Sequence, residues 1–186
     1  MIAIRRARPA DAIAIATVHV AAWRSAYANI LPKDFLSRLS VPRQAAHYDA
    51  TIRADIGVHV ATASGLDLGP DGGMARIVGF TTSAPTSAPN ALAASEIETL
   101  YVLDDWRDRG LGRRLMRASA THLASLGCGS TFLWVLRDNP SRWFYERLGG
   151  RSAAHSTTRV GGEHIPQTAY IWSPIEKLAQ ATSSAP

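Results

Sequence analysis

The chain has 186 residues, 46% of them hydrophobic and 19% charged, with a formal net charge of +5. That length fits one domain able to bury its own core, and the composition excludes a disordered chain. A single cysteine, Cys128, excludes an intramolecular disulfide and a cysteine-built zinc cage, and no apolar run approaches the ~18 residues of a membrane span.

Residues 1–6 read as a first strand. The start MIAIRRARPADAIAIATVHV has neither a long apolar run nor a small-residue cleavage site, so it does not read as a signal peptide, and a cytoplasmic protein is the expectation. Pro9, Ala10 and Asp11 open a helix whose apolar stripe is Ile13, Ala16, Val20, Trp23 and Tyr27. Pro32 fits the first turn of a short second helix, and Pro42 begins a third that runs to about Asp55. Gly57–Ala63 and Ala75–Ser83 read as a hairpin around a loop with Gly65, Gly69, Pro70, Asp71, Gly72 and Gly73.

Residues 84–94 carry few order signals and read as a mobile loop. Ser95–Leu103 is a strand rich in branched and aromatic residues. Gly110–Leu126 is a helix ended by Gly127 and Gly129. Thr131–Leu136 is a nearly continuous apolar run, as a strand buried on both faces requires. Asn139 and Pro140 open another helix, closed by Gly149 and Gly150. Two strands follow, near Arg151–Val160 and His164–Trp172, about a Gly161-Gly162 turn. The tail after Pro174 turns polar and small, and reads as frayed or as a dimer contact. The alternation of strands and helices is an α/β pattern, and the hairpins make the sheet mixed.

The sharpest feature is Arg107-Asp108-Arg109-Gly110-Leu111-Gly112, between a strand and a helix. A helix start offers unpaired N–H groups and partial positive charge, and glycines let an anion approach the backbone. Arg109, Arg113 and Arg114 add charge, and arginine, which supplies every cation but Lys33 and Lys177, is the better fork for phosphates. The local chemistry is that of a phosphate or pyrophosphate seat. Leu115 stands where a dinucleotide fingerprint needs glycine or alanine, and no lysine completes a Walker loop.

The pattern R-x-x-G-x-G, after a strand with Leu-Tyr-Val and before an amphipathic helix, resembles motif A of the GCN5-related N-acetyltransferase superfamily. Asn139-Pro-Ser-Arg-Trp-Phe-Tyr145-Glu-Arg-Leu-Gly149 resembles its motif B, N-x-x-A-x-x-F-Y-x-x-x-G-F, and Trp23-Arg24-Ser25-Ala26-Tyr27 with Ile30-Leu31-Pro32 is similar to a helix of many small-molecule members. The likeness covers residues 1–172. Two departures stand out: Arg142 and Trp143 lie where the motif B alanine is expected, and Gly150 replaces the final aromatic.

The resemblance implies a mixed, mostly antiparallel sheet of six or seven strands flanked by helices, in one domain over residues 1–174 with a tail at 175–186. It implies acetyl-CoA as cosubstrate, without a metal, and transfer to a primary amine of a small molecule in a ternary complex. By the same likeness Arg107 and the backbone of Arg109, Gly110, Leu111, Gly112, Arg113 and Arg114 hold the pyrophosphate. Leu100, Tyr101 and Val102 pair with the pantetheine arm, and Asn139 bonds the same arm. Tyr145 is the general acid, since a phenol stays protonated at neutral pH.

An amine must also lose a proton. Glu96 and Glu98 sit two apart on the strand and therefore share a face; either is the candidate base, Glu96 slightly preferred. Trp23 and Tyr27 are either core or a wall of the acceptor pocket. Protein or peptide amines, and a non-catalytic acyl-CoA-binding module, remain alternative readings, and a homodimer is allowed by resemblance only. The six histidines form no metal-binding spacing, no serine elbow is present, and no basic stripe with interleaved aromatics suggests nucleic acid.

Overall fold

The computed structural model describes residues 1–65 and 75–183. Its strands are β1 (Ile2–Arg6), β2 (Gly57–Ala63), β3 (Arg76–Pro85), β4 (Ser95–Val102), β5 (Thr131–Leu136), β6 (Arg151–Val160) and β7 (Glu163–Trp172). Its helices are α1 (Ala12–Ala26), α2 (Lys33–Ser37), α3 (Val41–Arg53), α4 (Leu111–Ser125), α5 (Arg142–Arg147) and α6 (Glu176–Ala181). Short 3-10 turns occur at Pro9–Asp11 and Asp104–Trp106. Of the expected glycine loop between β2 and β3, residues 69–73 lie outside the described residues.

The seven strands make one sheet in the order β1-β2-β3-β4-β5-β7-β6. Neighbours are antiparallel except β4 and β5, which run parallel and are joined only at Glu96 opposite Phe132. The expected mixed, mostly antiparallel sheet is therefore present. Helices α1 and α3 bury Ile15, Val18 and Tyr48 against Val58, Val60 and Phe80. Helix α4 buries Leu111 and Leu115 against Ala61, Ala63 and Val78 of the same strands. Because β2 and β3 are covered on both faces, their burial runs almost unbroken.

Three expectations change. Ile13 is 69% exposed, whereas Ala16, Val20 and Tyr27 of the same stripe are buried; because α1 packs against both the sheet and α3, Ala12, Ile15, Val18, His19 and Ala22 are buried as well. Residues 84–94 are more tied than a mobile loop: β3 extends to Pro85, Thr86 N–H bonds the Ala94 carbonyl at 3.0 Å, and Ala94 N–H bonds Ser130 Oγ at 3.1 Å. The segment after Pro174 does not fray at its start. It forms α6, whose Leu178, with Ile175 before it, joins the core of Met116, Leu123 and Trp172.

Candidate active site

The glycine turn leads straight into α4. Gly110 has φ +72°, a left-handed conformation that glycine adopts without strain, and the first bond of the helix is Arg114 N–H to the Gly110 carbonyl at 3.1 Å. The N–H groups of Leu111 and Gly112 therefore precede the helical ladder. A Cβ on Gly112 would lie 3.2 Å from the Phe144 ring, so the backbone is drawn close to α5. The arginine side chains are held: Arg107 pairs with Asp104 at 2.7 Å, Arg109 lies 4.7 Å over the Trp106 ring, and Arg114 donates to the Ile2 carbonyl at 3.1 Å. Their charge surrounds the turn while the backbone supplies the donors.

Beyond the turn the sheet opens. Past the single Glu96–Phe132 pair, β4 and β5 have no further ladder, and Leu100–Val102 face Leu133–Val135 across one cavity of about 1310 Å³. The same cavity is lined by Gly110, Asn139 and Tyr145. Strand β4 is also irregular. Thr82 of β3 pairs with Thr99 and Ser83 with Ile97, which leaves Glu98 as the extra residue of a bulge. The bulge turns Ile97 into the α4 core while Tyr101 packs toward α1 and α3.

Tyr145 is buried among Phe144, Tyr170 and Trp172, and burial raises its phenol well above the usual value. Asn139 is buried too. Its Oδ1 accepts from Ser141 N–H at 2.9 Å, and its carboxamide faces the Tyr27 hydroxyl, which also faces that of Tyr101. Tyr27 thus spans from α1 to the wedge, and its ring is packed with Leu31, Leu36 and Ile165. Glu98 is exposed and lines the cavity, whereas Glu96 is half-buried at the strand junction. Burial, and then the Glu98 charge, raise the Glu96 carboxyl.

The profile of the family described as FR47-like protein matches residues 84–160, the stretch that holds β4, the turn, the wedge and Tyr145. A Bacillus subtilis protein, named the uncharacterized N-acetyltransferase YuaI, is 27% identical over 96% of this chain and 96% of its own. The structure of a GCN5-related N-acetyltransferase from Rhodopseudomonas palustris superposes with a TM-score of 0.67 at 22% identity, covering 92% of this chain and 94% of that one. YncA of Salmonella typhimurium, whose structure holds its cofactor acetyl-CoA, superposes with a TM-score of 0.66 at 18% identity, covering 100% and 98%. The chain thus matches the FR47-like family over residues 84–160 and has the fold of the GCN5-related N-acetyltransferases.

The departures from the superfamily pattern have structural explanations. Between Asn139 and Phe144 this chain is one residue shorter than N-x-x-A-x-x-F, and α5 starts only at Arg142, after the Asn139–Ser141 turn. At Gly150 a Cβ would lie 2.7 Å from Trp172 and 2.9 Å from the Tyr145 carbonyl. The core position of the missing aromatic is filled from β7 by Trp172, which donates to the Leu148 carbonyl at 2.8 Å.

On the opposite side of β4 from α4 lies a cluster of rings. Trp23 packs on Tyr27 at 5.1 Å, Phe35 at 6.1 Å and Tyr101 at 6.4 Å. His19 stacks on Trp23 at 5.1 Å, and its Nδ1 bonds the Tyr48 hydroxyl at 2.6 Å. Burial and the neighbouring His47 lower His19 to about 4, so it is neutral at pH 7. The turn of the β6–β7 hairpin closes on this cluster, where a Cβ on Gly161 would lie 2.9 Å from Phe35. His19 and Tyr48 were not legible as site neighbours, because both simply look like residues on amphipathic helices. Trp134 is half-buried and lines the cavity rather than closing the core. Among the described residues no cluster of ligands suited to a metal occurs, and no helix is long and apolar enough to cross a membrane.

Proposed function

We propose that the chain is an N-acetyltransferase that moves the acetyl group of acetyl-CoA to a primary amine of a small molecule. The observation that carries this reading is that one cavity joins the anion turn, the open wedge, Tyr145 and Glu98. Acetyl-CoA supplies a thioester activated toward amines. The chain's contribution begins with binding. The N–H groups of Leu111 and Gly112, amid Arg107, Arg109, Arg113 and Arg114, suit a pyrophosphate. The unpaired edge of Leu100, Tyr101 and Val102 suits the amides of the pantetheine arm. A carboxamide nitrogen carries two N–H groups, so Tyr27 leaves one on Asn139 for the same arm.

Direct attack needs a base on the amine side and an acid on the sulfur side. Glu98 takes the amine proton in this reading, in preference to Glu96, because it is the glutamate that lines the cavity. Glu96 sits behind it, and its raised carboxyl reflects that burial. Tyr145 donates to the departing thiolate, and its burial keeps the phenol protonated at neutral pH. Positioning of the two reactants supplies the rest. Closure of the acceptor face by α2 and the β6–β7 turn favours a small amine over an extended peptide. Tyr27, which lines the cavity, forms a wall of that pocket, with Trp23 packed against it.

The test is thermal unfolding of the purified chain with acetyl-CoA, with ATP as control, followed by a panel of amines. Ligand at ~100 times its dissociation constant stabilises by about 2.7 kcal/mol. Acetyl-CoA is expected to stabilise, ATP not to, and Gly112→Glu to abolish the shift by filling the turn. Equal binding by Gly112→Glu would remove the turn from the site. Peptides outperforming every small amine would move the acceptor to protein.

A further inference from the structure

Of the five tryptophans, four have their rings engaged. Trp23 packs on Tyr27, Trp172 on Tyr145, and Trp106 and Trp143 each carry an arginine over the ring. Trp134 differs. Among the described residues no ring stacks on its indole, no cation lies over it and nothing bonds its Nε1, yet it is half-buried and lines the cavity.

Its direction follows from the period of β5. Leu133 and Val135 enter the core with Met116 and Leu123 of α4, so Trp134 belongs to the other face, as Leu136 does in packing with Tyr27 and Ile165. That is the face on which α1 packs. Across the sheet Trp134 pairs with Ala169, and Ala169 with Ala154, so the flank away from the wedge is lined by two alanine methyls. On the near flank, Glu98 and Trp134 each stand two residues beyond the Glu96–Phe132 pair, on either side of the opening. Glu98 forms no ion pair among the described residues. Helix α1 presents Ala22 and Ala26 to the same cavity, one turn apart, and side chains that small leave space over the sheet.

We propose that Trp134 is the specificity residue for the acceptor, and that the acceptor is a primary amine carried on a flat aromatic body. The inference rests on the transferase reading above and deepens it by naming the class of amine. The reaction fixes the nitrogen beside Glu98 at the wedge. The atoms that follow the nitrogen then lie along Trp134, and the alanine methyls beside that indole offer nothing to a second charge or to hydroxyl groups. An aromatic body gains burial against the indole and a stacking preference that a straight alkyl chain lacks. No other tryptophan among the described residues both lines the cavity and has an unengaged ring.

The experiment measures steady-state acetylation of 2-phenylethylamine, n-butylamine and 1,4-diaminobutane by the full chain and by W134F and W134L. Calorimetric titration of the same amines into the chain saturated with CoA gives the order of binding without turnover. The wild-type chain is expected to favour 2-phenylethylamine over n-butylamine by about tenfold in kcat/KM, chiefly through KM, and to favour 1,4-diaminobutane least. W134F is expected to keep that ratio. W134L, which keeps apolar bulk without a ring, is expected to bring it close to one. A wild-type preference for either alkyl amine overturns the proposal, and so does a ratio in W134L equal to that of wild type. Binding of acetyl-CoA without turnover of 2-phenylethylamine overturns it too. A wild-type chain that binds no acetyl-CoA overturns the proposed function instead, and the thermal shift with acetyl-CoA separates these outcomes. Unfolding midpoints show whether the variants are folded; if W134L is not, the wild-type ratio in turnover and in binding decides.

Discussion

At Gly150 the absence of a side chain is imposed by a residue more than twenty positions away. The site faces Trp172 at 2.7 Å from a built Cβ, and that indole is fully buried. Restoring the superfamily aromatic with Gly150→Phe should therefore overpack the core and cost about 2 kcal/mol or more, read as a lower urea midpoint. A midpoint unchanged from wild type would show that β7 yields. Tyr145→Phe tests the chemistry beside it: turnover should fall about a hundredfold while the acetyl-CoA thermal shift stays the same. Unchanged turnover removes the phenol from the reaction. Gly150 was readable from the sequence as a departure, but its cause was not, because residue 150 meets Trp172 only in the register of β6 on β7, where Arg151 pairs with Ile171 across a bulge. Tyr27 was ambiguous for a similar reason. Its ring is core and its hydroxyl reaches the wedge, and residue type alone cannot separate the two ends.

Among the elements, those with strong periodicity or clear punctuation were legible: α4 between its glycines, β5 as an apolar run, the β6–β7 hairpin about Gly161-Gly162. Two were not. The bulge at Glu98 leaves β4 reading as an ordinary strand, since an extra residue shows only against the register of β3. Helix α6 is six residues long, too short for a repeating apolar pattern, and its surroundings in sequence are small and polar. Its stability comes from tertiary contact, chiefly Leu178, which is fully buried against the core that includes Leu123 and Trp172. Leu178→Ala is expected to cost about 3 kcal/mol in chemical unfolding. A loss of a few tenths would mean that α6 is only draped on the surface, and the domain would then end near Pro174. The same helix start holds Ile175 N–H to the Gly129 carbonyl at 2.9 Å, so removing the segment also frees the entrance to β5.

For the molecule as a whole, the order of strands and helices and the net positive charge could be read early, but the response to acid depends on two imidazoles on opposite faces of the sheet, one buried and one half-buried. His19 lies between α1 and α3, bonded to Tyr48, and His59 lies on the α4 side, 5.6 Å from His122. Burial, with His47 in one case and with His122 and Arg6 in the other, lowers both from 6.5 to about 4. The unfolded chain therefore takes up protons that the folded chain refuses, and stability present above pH 6.5 is lost as the pH falls toward 4. For His19 the full shift amounts to about 3 kcal/mol; His59 is partly exposed and contributes less. The Arg5–Asp11 ion pair acts in the same direction but lower, since Arg5 holds the Asp11 carboxyl below its ordinary 3.8. The unfolding midpoint is thus expected to be level above neutrality and to fall steeply between pH 6.5 and 4, before carboxylate protonation begins to dominate. His19→Gln keeps a polar partner for Tyr48 without a titrating ring, so it should flatten that slope while lowering stability at neutral pH. A profile flat down to pH 4 in the wild type would mean that both imidazoles accept protons in the folded chain, and that neither face of the sheet is as closed to water as its packing indicates.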